Sequence, residues 1–221
     1  MSLVVVGTGT EVGKTVACSI LLARYGKSLR LAYWKPVATG ASEGSDSKFV
    51  KRIVGHLAPV LDDRYSFGPP LSPHLAARRH RKAIEPEALL EALVAHGLED
   101  KDRSLIIEGV GGLLVPLTSS GYLLADLLRD FHLPCLLVAT STLGTINHTL
   151  LTLEALRSRR LEVAGVVLNG PRNRDNRDAI ESFGKADVVA EIPPIRPLSR
   201  AGVLRAAKNF DRRGQLKRYL I

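Results

Sequence analysis

Apolar runs of strand length recur along the chain, with helically spaced segments between them. Leu3-Val6 is a continuous run stopped by Gly7, and Leu29-Tyr33, Leu105-Ile107, Leu136-Ala139 and Val163-Leu168 repeat the pattern. Most of these runs are unbroken rather than alternating, as strands buried on both faces are. Helical spacing marks Gly13 to Tyr25 (GKTVACSILLARY), Glu85 to His96 (EPEALLEALVAH) and Thr145 to Arg159 after Gly144. Pro86 stands at a first helical position, where its missing N–H leaves nothing unsatisfied. Continuously apolar strands separated by helices predict an α/β fold: a doubly wound, mainly parallel sheet with helices on both faces. Neither a repeat nor a low-complexity tract divides the chain. Phe67-Gly68-Pro69-Pro70 and Ile192-Pro193-Pro194-Ile195-Arg196-Pro197 read as loops at element ends. Residues 1–221 are therefore expected to form a single domain.

Composition narrows the class further. With 221 residues, 45% hydrophobic and 24% charged, the chain can bury enough apolar surface to offset its ordering entropy, which excludes disorder as its main state. It holds no uncharged apolar stretch long enough to span a membrane. The start, MSLVVVGTGTEVGKT, lacks a basic leader region and reads as a mature strand, so a cytoplasmic protein is expected. Cys18 and Cys135 sit in apolar contexts (VACSILL and PCLLVAT) and read as buried thiols in a reducing compartment. The net charge of +9 raises the question of nucleic acid. Arg172 to Ile221 holds twelve Lys and Arg against six Asp and Glu, and Arg78-Arg79-His80-Arg81-Lys82 forms a second cluster. Aromatics make up only 5% and do not interleave with these residues as a base-stacking surface requires. The basic character reads instead as a solvated face or a field drawing anionic substrates, and no nucleic-acid partner is expected.

In parallel sheets ligands gather at the carboxyl ends of strands, so the residues after each apolar run carry the chemistry. Gly7-Thr8-Gly9-Thr10-Glu11-Val12-Gly13-Lys14-Thr15 follows a strand and opens a helix. Glycines let successive N–H groups converge on phosphate oxygens, and the helix N-terminus adds partial positive charge. In such a P-loop Lys14 reaches the β- and γ-phosphates and the Thr15 hydroxyl ligates Mg²⁺. The spacing is unusual: Thr8 stands where the common pattern has glycine, and Gly7 lies one residue earlier. Lys35, closing Leu31-Trp34 before Pro36, is either a cation beside a transferring phosphate or a surface lysine before a turn. Asp46 reads first as the N-cap of the following helix. Glu108 follows Leu105-Ile107 and precedes Gly109-Val110-Gly111-Gly112, where a nucleotide-binding sheet needs a magnesium or water ligand. Asn169, before Gly170, suits either a nucleobase edge or an Asn-Gly turn. The helix start from Gly144 to His148 offers N–H groups to a carboxylate or phosphate, with His148 itself read as structural. His56, His74, His80, His96 and His132 show no paired metal spacing.

Together these segments resemble dethiobiotin synthetases: GTGTEVGKT (7–15), KPVATG (35–40), SD (45–46), SPH (72–74), EGVGGLLVPL (108–117), GTINHTLLT (144–152) and NG (169–170). Order and spacing agree from Val4 to about Pro194, and the lengthened phosphate loop is the form that family uses. The resemblance implies a homodimeric P-loop NTPase fold of the doubly wound type. It also implies that 7,8-diaminopelargonate, CO2 and ATP give dethiobiotin, ADP and phosphate. A substrate amine captures CO2 as a carbamate, the carbamate takes the γ-phosphoryl group as a carbamic–phosphoric anhydride, and the neighbouring amine closes the cyclic urea. By the same resemblance Lys14 and Lys35 are the catalytic cations, while Thr15, Asp46 and Glu108 hold Mg²⁺. Thr10, Glu11, Val12, Gly13, Lys14, Thr15, Val16, Asn169 and Pro193 contact ATP. Thr10, Lys35, Thr39 and Gly111 contact the substrate, and Gly144, Thr145, Ile146 and Asn147 reach its carboxylate across the dimer.

Two departures bear on the nucleotide. The family loop commonly has Asp where this chain has Gly9. After Pro194 the family usually has an acidic residue that helps read adenine, whereas Ile195-Arg196-Pro197-Leu198-Ser199-Arg200 has none, which leaves the nucleotide preference open. Two other readings use similar loops. A partitioning-type switch ATPase would carry an additional lysine early in the motif, and Gly7 to Val12 has none. An amidating synthetase related to the cobyrinic acid enzymes would need a glutaminase domain, for which 221 residues leave no room.

Overall fold

In the computed structural model, whose described residues are 2–42, 44–99 and 103–221, strands and helices alternate along most of the chain. They are β1 (Leu3–Gly7), α1 (Lys14–Tyr25), β2 (Leu31–Trp34), β3 (Val37–Ala38), α2 (Asp46–Val54), β4 (Tyr65–Ser66), α3 (Pro73–Arg79), α4 (Pro86–Glu99), β5 (Ser104–Glu108), α5 (Leu124–Phe131), β6 (Cys135–Thr140), α6 (Thr145–Ser158), β7 (Val163–Asn169), α7 (Arg174–Gly184), β8 (Val188–Ile192) and α8 (Arg200–Asn209). Six strands form one sheet in the order β2-β5-β1-β6-β7-β8, with every neighbouring pair parallel. The short β3 and β4 pair separately, also in parallel.

The side-chain period of two divides the core cleanly. Val4, Val6, Ala32, Trp34, Leu105, Ile107, Leu137 and Ala139 face one side, packed with buried residues of α3 to α7 such as Ala76, Leu89, Leu128, Leu153 and Ile180. Leu3, Val5, Leu31, Tyr33, Ile106, Leu136 and Val138 face the other, with Ile20, Leu21, Val50 and Val203 of α1, α2 and α8. Both faces are covered, which is why the strands are apolar at consecutive positions. Cys18 and Cys135 are buried free thiols, as their contexts implied. Burial pushes Cys135 up to about 12. No helix among the described residues is long and apolar enough to cross a membrane.

Local departures from the sequence pattern have local causes. The strand expected from Leu29 begins at Leu31, because Arg30 is left-handed (φ 51°) and Leu31 N–H bonds back to the Gly26 carbonyl at 2.8 Å, closing a turn. The connection from β1 leads to β2 on one side, whereas that from β6 leads to β7 on the other. Strand order thus reverses between β1 and β6, and a crevice opens above their carboxyl ends.

Candidate active site

The loop between β1 and α1 is held by what its glycines lack. A Cβ on Gly7 would lie 2.9 Å from the Gly9 carbonyl oxygen and 3.1 Å from Lys14 Nζ. Thr8, by contrast, uses its N–H to extend β1 pairing, donating to the Val138 carbonyl at 3.0 Å. Glycine is therefore needed at position 7 and not at 8, which accounts for the unusual spacing. Gly13 is left-handed (φ 100°) and caps α1, and a Cβ there would collide with the Asn169 amide at 2.1 Å.

Lys14 opens α1 and folds back over this loop, only 7% exposed. Its Nζ donates to the carbonyls of Gly9 at 2.7 Å and Gly111 at 2.8 Å, tying the loop to the glycine segment after β5. Burial lowers its pKa to about 8; the Lys35 charge adds to this, and Glu108 and Asp46 oppose it.

Beside Lys14 lies a buried ionic cluster. Lys35 Nζ donates to Glu108 Oε1 at 2.8 Å and pairs closely with Asp46 Oδ2. Thr15 Oγ1 lies 2.9 Å from both Asp46 Oδ1 and Glu108 Oε1, so its single hydrogen serves one carboxylate at a time. The second oxygen of Glu108 accepts from Tyr33 Oη at 2.8 Å. Burial by itself would lower the Lys35 pKa, but the two carboxylates reverse this and hold it above the usual lysine range. Burial would raise Asp46, yet Lys35 and the Thr15 hydroxyl hold it below the usual carboxylate range. Burial and the Glu108 charge push the Tyr33 phenol well up, so it remains a donor.

The structure decides one reading that the sequence leaves open and corrects another. Lys35 is 4% exposed and no surface lysine, because β2 delivers it level with the buried end of β5. Asp46 is not the cap of α2. Ser45 takes that place, its Oγ accepting from Lys48 N–H at 3.4 Å, and Asp46 as the first helical residue turns its carboxylate to Lys35 and Thr15. Tyr33 is not legible as a site residue within the run Leu31-Trp34, since a tyrosine among core residues signals packing first.

These groups line a cleft of about 720 Å³. Thr10, Glu11, Gly13, Lys14, Thr15, Val16, Lys35, Thr39, Asp46, Glu108 and Gly111 all border it. The other candidates lie elsewhere. Val12 is buried beneath the loop, and its carbonyl accepts from Asn169 Nδ2 at 3.0 Å, so Asn169 braces the loop from the end of β7. Pro193 borders a separate hollow along β8 with Arg172, Arg212 and Arg213. Gly144 to Asn147 do not line the cleft; Gly144 is left-handed (φ 89°), Thr145 is buried with Oγ1 donating to the Thr140 carbonyl at 2.5 Å, and Asn147 is exposed.

The chemistry of the donor set fits a hard cation. Two carboxylates and a hydroxyl converge with no nitrogen or sulfur ligand, the combination that suits Mg²⁺. No group of three or more His, Cys, Asp or Glu among the described residues would cage a metal alone, so phosphate oxygens would complete the shell, as they usually do for Mg²⁺. With Lys14, Lys35 and the amino end of α1 around it, the cleft can neutralise a polyphosphate.

Comparison with known proteins agrees with this chemistry. A family model described as an AAA domain matches residues 1–201. An ATP-dependent dethiobiotin synthetase BioD of Paramagnetospirillum magneticum is 42% identical over 90% of this chain and 91% of its own length. One from Rhodopseudomonas palustris is 39% identical over 97% of each chain. Among solved structures, a ParA family ATPase from Chlorobium tepidum superposes with a TM-score of 0.60 at 14% identity, covering 99% of this chain and 95% of that one. Chloroplast FtsY from Physcomitrella patens gives a TM-score of 0.56 at 17% identity, over 93% and 64%. At such identities the structural likeness carries the P-loop NTPase fold alone, while the sequence relatives carry the activity.

Proposed function

The chain belongs to the family of ATP-dependent dethiobiotin synthetases, and from that premise we propose that it joins CO2 to 7,8-diaminopelargonate and closes the cyclic urea at the expense of Mg-ATP. The observation that carries this reading is the placement of Lys35. Its ammonium is buried between Asp46 and Glu108 and faces the same cleft as Lys14 of the phosphate loop. A carbamate, a γ-phosphoryl group and the oxygen between them are all anionic. Two cations fixed before the reaction begins neutralise charge that develops during transfer without reorganising.

Thr15, Asp46 and Glu108 would hold Mg²⁺, which supplies additional charge to the phosphates when bound. Thr10 and Thr39, which both line the cleft, offer hydroxyls to the carbamate and the phosphates. The phosphate loop and the glycines at 111 and 112 bring backbone close to the reacting groups. The diamine itself keeps the second amine near the activated carbamate, so ring closure gains from proximity. We extend the proposal to a homodimer in which Gly144 to Asn147 serve the partner's cleft. Its support is that this segment lies outside the cleft of its own chain, with Leu143 beside it fully exposed.

The test is phosphate release from ATP and Mg²⁺ in bicarbonate, with and without the diamine, repeated with CTP and GTP. Diamine-dependent release is expected with at least one nucleotide. Release that ignores the diamine, or none with any nucleotide, overturns the proposal. Sedimentation at assay concentrations should show a dimer; a fully active monomer removes that extension.

A further inference from the structure

The distal oxygen of Glu108 is held by a residue outside the phosphate loop and outside every segment that carries the family resemblance. Tyr33 belongs to β2, which pairs in parallel with β5 so that Tyr33 stands level with Ile106. Glu108 is two residues further along β5, hence on the same sheet face and roughly 6.6 Å further along the strand. A tyrosine leaning along its strand spans that distance, and its Oη reaches Glu108 Oε2 at 2.8 Å. Both residues are sealed from solvent, Tyr33 at 0% and Glu108 at 1% exposure. A carboxylate so placed has no water to satisfy its inner oxygen, and the phenol supplies the bond that water would otherwise make.

The consequence is an asymmetric carboxylate. Oε2 is anchored inward by Tyr33, while Oε1 alone faces Thr15 Oγ1 and Lys35 Nζ at 2.9 and 2.8 Å. Tilting the carboxylate of Glu108 out of this orientation would break the Tyr33 bond, so that bond fixes the direction in which the outward oxygen is offered to the cleft. We propose that Tyr33 is a positioning residue for metal binding: it holds Glu108 so that one oxygen is presented to Mg²⁺ at the nucleotide phosphates. The inference rests on the reading of Glu108 as a magnesium ligand, and it adds a partner acting through that ligand. Outer partners of this kind orient the inner ligands, and losing one typically weakens metal binding by about 10- to 100-fold.

The test uses Tyr33→Phe, Glu108→Gln and the double variant, with two readouts on the full chain. One is Mn²⁺ affinity in the presence of ADP, followed by the electron paramagnetic resonance of free Mn²⁺. The other is the Mg²⁺ concentration for half-maximal turnover. ADP affinity without metal, and the thermal transition, report on the fold. Tyr33→Phe keeps the ring and loses only the hydroxyl. It should weaken Mn²⁺ binding about 10-fold and raise the Mg²⁺ requirement in proportion, with metal-free ADP binding unchanged. In the Glu108→Gln background the same change should add little, because the ligand it positions is gone. Unaltered Mn²⁺ affinity in Tyr33→Phe, or equal losses in both backgrounds, overturns the positioning role. If Glu108→Gln itself leaves Mn²⁺ binding intact, it is the ligand assignment of Glu108 that fails, and the role of Tyr33 falls with it. Should Tyr33→Phe lose its thermal transition, Tyr33→Leu, which is smaller and has no donor, decides by the same Mn²⁺ readout: a loss of affinity with metal-free ADP binding kept supports the role, and unchanged affinity overturns it.

Discussion

Lys35→Met removes the ammonium at the centre of the ionic cluster while keeping most of its side-chain volume. Lys35 and Glu108 are 4% and 1% exposed and 2.8 Å apart, so water cannot take the place of the lost charge. Removing one member of a buried ion pair typically costs 3–5 kcal/mol, since it strands the partner. Glu108 retains two hydroxyl neighbours, Thr15 and Tyr33, which favours the lower end, about 3 kcal/mol. At roughly 2–4 °C per kcal/mol for a chain of this size, Tm should fall by about 6–12 °C in EDTA. A divalent cation binding between Asp46 and Glu108 would restore the missing positive charge. Mg²⁺ with ADP should therefore raise the Tm of Lys35→Met more than that of the unaltered protein, while turnover stays abolished because the reacting groups lack their cation. Scanning calorimetry in EDTA and in Mg²⁺-ADP measures both shifts. A Tm unchanged in EDTA would mean that the pair contributes nothing, and equal gains from Mg²⁺-ADP would mean that metal and ammonium do not share the carboxylates.

Other expectations follow from single contacts. Lys14 has its pKa lowered to about 8 from 10.5, so between those values the unfolded chain binds more protons than the folded one and stability rises with pH, by up to roughly 3 kcal/mol. The Tm difference between the unaltered protein and Lys14→Met across that window measures it, and ADP affinity should fall above pH 8 as the ammonium is lost. Asn169→Ala leaves the Val12 carbonyl without its 3.0 Å donor, a loss of about 1–3 kcal/mol. Binding of inorganic tripolyphosphate should weaken along with that of ATP; weakening of ATP alone would assign Asn169 to the nucleobase instead. Gly9→Asp adds a carboxylate to the phosphate loop, and nothing lies within 4 Å of the Cβ it would introduce. Its stability should change by no more than about 0.5 kcal/mol, as read by its denaturation midpoint.

Much of the site was legible because its chemistry follows directly on a strand. Glu108 ends an apolar run and opens a glycine cluster, and the Gly-Lys-Thr of the phosphate loop begins a helix. What one strand cannot disclose is its neighbour. Pairing of β2 with β5 sets Trp34 level with Ile107, and this brings Lys35 beside Glu108 across a gap of 73 positions in sequence. Asp46 read as a cap because capping is local, whereas its contact with Lys35 depends on how α2 packs over α1. Tyr33 stayed hidden because its ring belongs to the core and only its hydroxyl to the site. In the last third, Glu191 interrupts the apolar run of β8, where it pairs at 3.3 Å with Arg177, and this weakens the strand signal. α7 was hidden in the same way, with only Ile180 and Gly184 buried in eleven mostly polar residues. β8 is the edge strand of the sheet, and α7 beside it buries only a narrow stripe, which gives a weaker pattern.

The most direct measurement of the proposed reaction is the fate of bicarbonate carbon. With ¹³C-bicarbonate, the diamine, Mg²⁺ and the preferred nucleotide, dethiobiotin should carry the label at its ureido carbon, in one-to-one proportion with the nucleoside diphosphate released. Unlabelled product, or diphosphate formed in excess and without regard to the diamine, would contradict the assignment of this cleft to carboxylation and ring closure.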